Sequence, residues 1–272
     1  MAGMENGSTL DGCLRLGERS RDFLDYSSWY AQHGAWIPRF RDAYAGEDCF
    51  LMGNGPSLNR VDLDALKPFH LIGLNKIQLL LERTPLPLTF HAAINALVIR
   101  QAAEAFVRLP CPSFLSYVPA REVIPNRGNI HYVLTSCRQV PSFADLNDTP
   151  LWEGYTVTFA AMQLAFFMGF QNVYLIGVDH NFVTQGRPNE EQRLAGDDLN
   201  HFDPRYFAGQ SWHLPDLAGS EMAYAMARFA FERTGRAILD ATIGGKCQIF
   251  QKIPIAEAIV RCRPRAKQVI AQ

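Results

Sequence analysis

The residues that could do chemistry in this chain stand directly after apolar, strand-like runs. Leu51 to Asn59 reads LMGNGPSLN. The apolar run breaks at Gly53-Asn54-Gly55-Pro56-Ser57, where the glycines permit close backbone approach and Pro56 and Ser57 open a turn whose amides could face an anion. The turn lacks the third glycine of a dinucleotide fingerprint, and the acidic residue expected about 20 positions on to hold the ribose hydroxyls is absent. Asn75 stands near that place. A neutral amide donates and accepts at once, which suits a base edge or a sugar without repelling phosphate. Asn95 and the Asp179-His180-Asn181 triplet end two further apolar runs. A tight turn with helix-capping amides is the plain alternative for the loop.

His201, in LNHFDPRYF, has Phe202, Tyr206, Phe207 and Trp212 for neighbours. An imidazole with a reference pKa near 6.5 is matched to taking a proton from a hydroxyl, although a histidine among aromatics can equally be a packed structural residue. His180 could donate to a phosphate or pair with Asp179, and His91, in a strand interior, reads as core. Asp62-Leu63-Asp64 has the spelling of a metal-binding DxD but falls at a helix start, which favours capping. Asp197-Asp198 and the strand-end Asp179 are better placed for magnesium, with no second ligand fixed by spacing. Arg187, Arg193 and Arg205 could each grip a phosphate or a sugar carboxylate, Arg205 foremost.

The elements that must position these residues alternate. Strand-like runs fall at 49–53, 69–75, 86–95, 113–118, 129–134, 172–179 and 237–241, and helical patterns at 27–44, 95–109, 155–168 and 215–234. That alternation predicts an α/β, Rossmann-like doubly wound, mostly parallel sheet. In such a sheet the ligand lies at the carboxyl ends of the strands, where the polar sites above would converge. The irregular 182–215 stretch is long enough to read as a lid-like insertion. The expected organisation is a polar leader and helix over 1–47, a nucleotide-binding domain over 48–260, and a basic tail over 261–272.

Composition narrows the partners. The chain has 272 residues, 48% of them hydrophobic, enough for one large core or a core plus a lid. Twenty-six basic and 27 acidic residues give a net charge of -1, so no global field draws nucleic acid. Any anion must be bound locally. The cysteines at 13, 49, 111, 137, 247 and 262 are too scattered for a zinc site or a disulfide framework. With a polar start and no run of roughly 18 apolar residues, the expectation is a reduced, cytoplasmic protein. Arg261, Arg263, Arg265 and Lys267 form a local basic patch that could hold the chain at an anionic membrane surface; a merely exposed tail is the alternative.

GNGPSL after a strand, the Asn75 and Asn95 strand ends, the helix leading into GFQNVYLIGVDHN, and HFDPRYF together resemble the bacterial sialyltransferases that extend lipooligosaccharides, glycosyltransferase family 42. They equally resemble the group that joins 6-hydroxymethylpterin diphosphokinase-like proteins with flagellin-modifying motility accessory factors. The resemblance covers about residues 48–255. On the sialyltransferase side it implies inverting transfer of a nonulosonic acid from a CMP-sugar to a glycan or glycolipid hydroxyl, with no metal and no other cofactor. It places Asn54, Asn75 and Asn95 on the nucleotide and makes His201 the general base, with His180 next in line. Thr156 and Thr158 must supply hydroxyls where those enzymes carry Thr-Ser-Gly. Where they set two tyrosines on the departing phosphate, this chain has His180 and Asn181, with Tyr206 further along. On the diphosphokinase side the resemblance implies ATP, magnesium and two or more carboxylates. A nucleotide-binding module without catalysis is a third outcome, and a homo-oligomer is compatible with each.

Overall fold

The computed structural model describes residues 26–137, 142–144, 146 and 149–265. Short apolar runs become strands buried on both faces, as parallel strands covered by helices are. They are β1 (Asp48–Met52), β2 (His70–Leu74), β3 (Phe90–Ala93), β4 (Ser113–Ser116) and β5 (Ile130–Val133). A small parallel pair follows, β6 (Thr135–Ser136) with β7 (Leu151–Trp152). Then come β8 (Asn172–Ile176), an antiparallel pair of β9 (Glu191–Arg193) and β10 (Ser211–His213), and the strands β11 (Ala237–Asp240) and β12 (Gln251–Lys252).

The large sheet runs β12-β11-β8-β1-β2-β3-β4-β5, with every pairing parallel. The chain enters at β1, builds outward to β5, then crosses back to lay β8 on the other side of β1. The strand order therefore reverses between β1 and β8, and a crevice opens beyond their carboxyl ends.

The helices are α1 (Tyr26–His33), α2 (Ile37–Phe40), α3 (Gln78–Leu81), α4 (Ala96–Val107), α5 (Tyr117–Ala120), α6 (Val157–Phe167), α7 (Leu217–Glu232) and α8 (Ile255–Arg261). The single helix expected over 27–44 is interrupted by a 3-10 turn at Gly34–Trp36. Pro38, which cannot donate to a preceding turn, starts α2 afresh. Trp29, Trp36 and Ile37 are still buried, as that pattern required. α6 (VTFAAMQLAFF) is apolar on all sides and lies in the core against α7. Its interior polar side chain, Gln163, is satisfied: it accepts from Ala144 N at 3.0 Å and donates to Trp152 O at 2.8 Å, tying β7 to the core.

The 182–215 segment is docked on the carboxyl edge of the sheet and contains the β9–β10 hairpin that the sequence did not suggest. Phe202 N donates to Asn54 O at 2.9 Å and Asn59 Nδ2 to Phe202 O at 2.9 Å. Lys76, buried after β2, donates from Nζ to Tyr206 O at 2.7 Å and to Gln210 Oε1 at 2.6 Å. Burial pulls the Lys76 ammonium down to about 8, against the attraction of Asp198.

The basic patch is partly consumed by the fold. Arg263 donates to Asp48 through Nε at 3.0 Å and Nη2 at 2.8 Å, and Arg261 pairs with Glu257. Burial would raise the Asp48 carboxyl, but the hydrogen bonds from Arg263 and Asn172 outweigh it and hold the acid below its usual range. Lys267 and Cys13 lie outside the described residues. Among the described residues no helix is long and apolar enough to cross a membrane.

Candidate active site

Beyond the ends of β1, β2 and β8 lie two adjoining cavities. The smaller, about 140 Å³, is lined by Gly53, Asn54, Gly55, Asn75, Thr156, Thr158, Asp179, His180, Asn181 and His201. These are ten of the residues singled out by sequence, brought together from five separate segments. Three buried side-chain atoms here, Asn54 Oδ1, Asn75 Oδ1 and Asp179 Oδ1, have no hydrogen-bond partner among the described residues. Buried polar atoms are seldom left so, and a cluster of them marks a place where a ligand supplies the partners.

The opening turn works differently from the amide cradle expected. Gly53 N donates to Ile176 O at 2.8 Å, Gly55 N to Gly177 O at 2.8 Å and Ser57 N to Asp179 Oδ2 at 2.9 Å, so these amides are occupied. The glycines are needed because the segment that follows β8 lies alongside. A Cβ on Gly53 would fall 2.3 Å from Gly177 O, and one on Gly55 would fall 2.4 Å from the Asp179 carboxyl carbon. Pro56 and Ser57 stand behind the turn and line neither cavity.

The larger cavity, about 270 Å³, shares Asn75, Tyr155, Thr156, Phe182 and His201 with the smaller and adds Asn95, Trp152, Glu153, Asn189, Phe207, Trp212 and His213. Asn95 lies here and not beside Asn54. Its Oδ1 caps α4 by accepting from Leu97 N at 2.9 Å and Val98 N at 3.2 Å, and its amide nitrogen meets His213 Nδ1 at 3.2 Å. Burial lowers the His213 imidazole below its ordinary value, against a smaller opposite pull from Glu191.

His201 stands in the wall common to both cavities. Its Nδ1 lies 2.8 Å from Asp198 Oδ2, and its ring stacks on Tyr206 with centroids 4.0 Å apart and planes at 4°. A carboxylate accepts, so Nδ1 carries the proton and Nε2 keeps the lone pair. Asp198 is itself 4% exposed and is fixed by Asn200 N, which donates to Oδ1 at 2.9 Å. Sequence weighed Asp198 only as a metal ligand. The hint was its place three residues before His201, which becomes a contact only once the loop turns.

Tyr206, expected at a leaving group, is instead the platform behind His201. Its hydroxyl accepts from Lys76 N at 3.2 Å and hydrogen-bonds the Asn75 side chain, and burial raises it well above the usual phenol range. Arg205 lines neither cavity: it is held by Asp203 at 2.8 Å and Glu82 at 2.9 Å. Thr156 and Thr158 hydrogen-bond Tyr224, a cavity residue that sequence missed, whose hydroxyl burial pushes up to about 12. His180 Nε2 lies 3.1 Å from Glu221 Oε1. Of the other carboxylates weighed for a metal, Asp62 Oδ1 accepts from Asp64 N at 3.1 Å, Asp64 pairs with Lys67 at 2.6 Å, and Asp197 is exposed.

The backbone is strained around the cavities. Asn75 (φ 48°), Tyr155 (φ 66°), His180 (φ 50°) and Asn189 (φ 64°) all sit in the left-handed region. Such conformations persist where the surroundings over-determine them, and they gather at functional sites. His91 supports the first of these. Its Nε2 donates to Asn75 O at 2.8 Å, and its Nδ1 therefore accepts from Ser113 Oγ at 2.6 Å.

An all-parallel α/β sheet with a polar, strained crevice at its reversal point defines a Rossmann-like fold, and the crevice is its candidate ligand site. Among solved structures the chain is similar to the MAf glycosyltransferase from Magnetospirillum magneticum AMB-1, with 16% sequence identity and a TM-score of 0.52. The match covers 84% of this chain and 36% of that one, so this chain spans little more than a third of its neighbour's length. It is also matched to the sialyltransferase CstII from Campylobacter jejuni in complex with a substrate analogue, cytidine-5'-monophosphate, at 11% identity and a TM-score of 0.44, over 77% of this chain and 85% of that one. At 16% identity the likeness to the first is one of fold. No family profile and no curated protein matches the sequence.

Proposed function

We propose that the chain is a glycosyltransferase which moves a nonulosonic acid from a CMP-sugar to a hydroxyl of a glycan or glycolipid, by single displacement and without a metal. The observation that carries this reading is the His201–Asp198 pair in the wall between the two cavities. The nucleotide occupies the smaller cavity, with its polar edges on the unpartnered oxygens of Asn54, Asn75 and Asp179. The acceptor enters the larger. His201 Nε2 takes the hydroxyl proton as the oxygen attacks the anomeric carbon, and the bond to the CMP phosphate breaks on the opposite side. Asp198 holds the tautomer and stabilises the imidazolium that forms, the task of the buried acid in a hydrolase triad. Asn181 and His180 are the donors nearest the departing phosphate in this arrangement.

Charge supports CMP over ATP. The basic side chains among the described lining residues are histidines: His180, His201 and His213. A CMP-nonulosonate brings two negative charges, one on the phosphate and one on the sugar carboxylate, which amide and imidazole donors can meet. ATP brings about four, which call for lysine, arginine or magnesium.

His201→Ala is expected to bind CMP as the wild type does and to lose transfer by roughly 10²- to 10⁴-fold, the usual worth of a positioned base. Calorimetry with CMP, and with ATP plus magnesium, alongside a transfer assay using a CMP-nonulosonate with and without EDTA, tests both halves. ATP binding that needs metal, with no CMP binding, would overturn the proposal in favour of a diphosphokinase.

A further inference from the structure

The larger cavity holds a carboxylate that the mechanism does not use. Glu153 follows β7, and its backbone N donates to Ser136 O at 3.0 Å, which fixes it to the small β6–β7 sheet. Oε1 accepts from Thr135 Oγ1 at 2.6 Å and Oε2 from Cys137 Sγ at 3.1 Å. Among the described residues each oxygen accepts one hydrogen bond, and a carboxylate oxygen can accept a second. The side chain is held from behind, and Glu153 lines the cavity together with Trp152, Tyr155, Trp212, Asn189 and His213.

We infer that Glu153 is a specificity-determining residue of the acceptor site: it accepts hydrogen bonds from hydroxyls of an uncharged sugar and turns away acceptors that carry a carboxylate or phosphate. The inference rests on the glycosyltransferase reading for the word acceptor, though not for the selectivity itself. An uncharged sugar has an apolar C–H face and a rim of hydroxyls. Indole and phenol rings offer the first a flat apolar surface, and Glu153, Asn189 and His213 offer the second its partners. Burial raises the Glu153 carboxyl above its ordinary value, against the hydrogen bonds from Thr135 and Cys137 that favour the ionised form; beside the ionised form an anionic sugar would bring a second negative charge into a confined space. Burial keeps His213 from supplying a compensating positive charge at neutral pH. Like charges within a few ångströms in such a space are strongly disfavoured.

The test is equilibrium binding by ligand-observed NMR to protein saturated with CMP. The probes are methyl glycosides of glucose, galactose and N-acetylglucosamine against their uronate and 6-phosphate counterparts. Wild type is expected to prefer at least one neutral glycoside over its anionic counterparts by about tenfold or more. Glu153→Gln, nearly isosteric, is expected to shrink that ratio severalfold, and Glu153→Asp to keep it. Equal binding of neutral and anionic probes by wild type, binding of none of them, or an unchanged ratio in a folded Glu153→Gln protein would overturn the inference. CMP affinity measured on the same samples separates the two claims. Its loss would strike the glycosyltransferase reading alone, because the sugar preference of the wild type is read without reference to transfer.

Discussion

At the scale of single residues, the site depends on what stands behind each side chain. His201 stood out in the sequence as a candidate because an imidazole is matched to taking a proton from a hydroxyl, with a packed structural residue as the alternative. Asp198 did not, since three residues of loop can point two side chains anywhere. The geometry makes Asp198 testable. Asp198→Asn keeps the shape but can offer its NH₂ to Nδ1, which moves the imidazole proton to Nε2 and removes the lone pair that the acceptor needs. CMP affinity is expected to stay within twofold while transfer falls by about 10²- to 10⁴-fold. Transfer at the wild-type rate would show that Asp198 holds the loop and nothing more. The glycine turn was misread for a related reason: spacing shows that Gly53 and Gly55 allow close approach, but not that Gly177 to Asp179, just after β8, are what approach them.

At the scale of elements, the buried strands announced themselves as unbroken apolar runs, while β9 (EQR) and β10 (SWH), short and half-exposed, gave no pattern. Helices were legible wherever a cap preceded an apolar stripe, and α4 carries the most instructive case. Asn95 was expected on the nucleotide, yet its oxygen already accepts two amides of the first turn. A cap and a ligand differ in what their loss does. Asn95→Ala is expected to lower stability by about 0.5 to 2 kcal/mol in urea unfolding and to leave CMP affinity unchanged, whereas Asn95→Asp, which still caps, is expected to restore most of the stability. A large drop in CMP affinity with unaltered stability would return Asn95 to the nucleotide.

At the scale of the whole molecule, the α/β class and the crevice at the strand ends could be argued from the alternation of runs, but the order of strands could not, because no local pattern says where β8 returns. The interior also sets a pH limit. His91 is fully buried between β2 and β4, and burial pulls its imidazole down to about 4, only partly offset by the hydrogen bond to Asn75. The unfolded chain takes up a proton near pH 6.5, while the folded chain does not until about 4. Unfolded chains therefore bind more protons through that window, and stability falls as pH drops through it, by about 2 kcal/mol between pH 7 and 5. His131, also drawn down to about 4 by burial and by Arg39, adds in the same direction. Urea midpoints at the two pH values check this: His91→Gln should be less stable at pH 7 yet lose less on acidification, and an identical loss would remove His91 from the account.

The return of β8 to the side of β1 also has a consequence in time. Asp48 and Asn172, partners at the start of those two strands, are separated by 124 residues of chain. At a synthesis rate of roughly 5 to 20 residues per second, the second strand leaves the ribosome on the order of ten seconds after the first. Through that interval the newborn chain holds DCFLM with one edge unpaired, and an unpaired apolar strand edge is a template for another chain. A factor that shields the edge of β1 while the ribosome is still at work is therefore expected to raise the cellular yield of this protein.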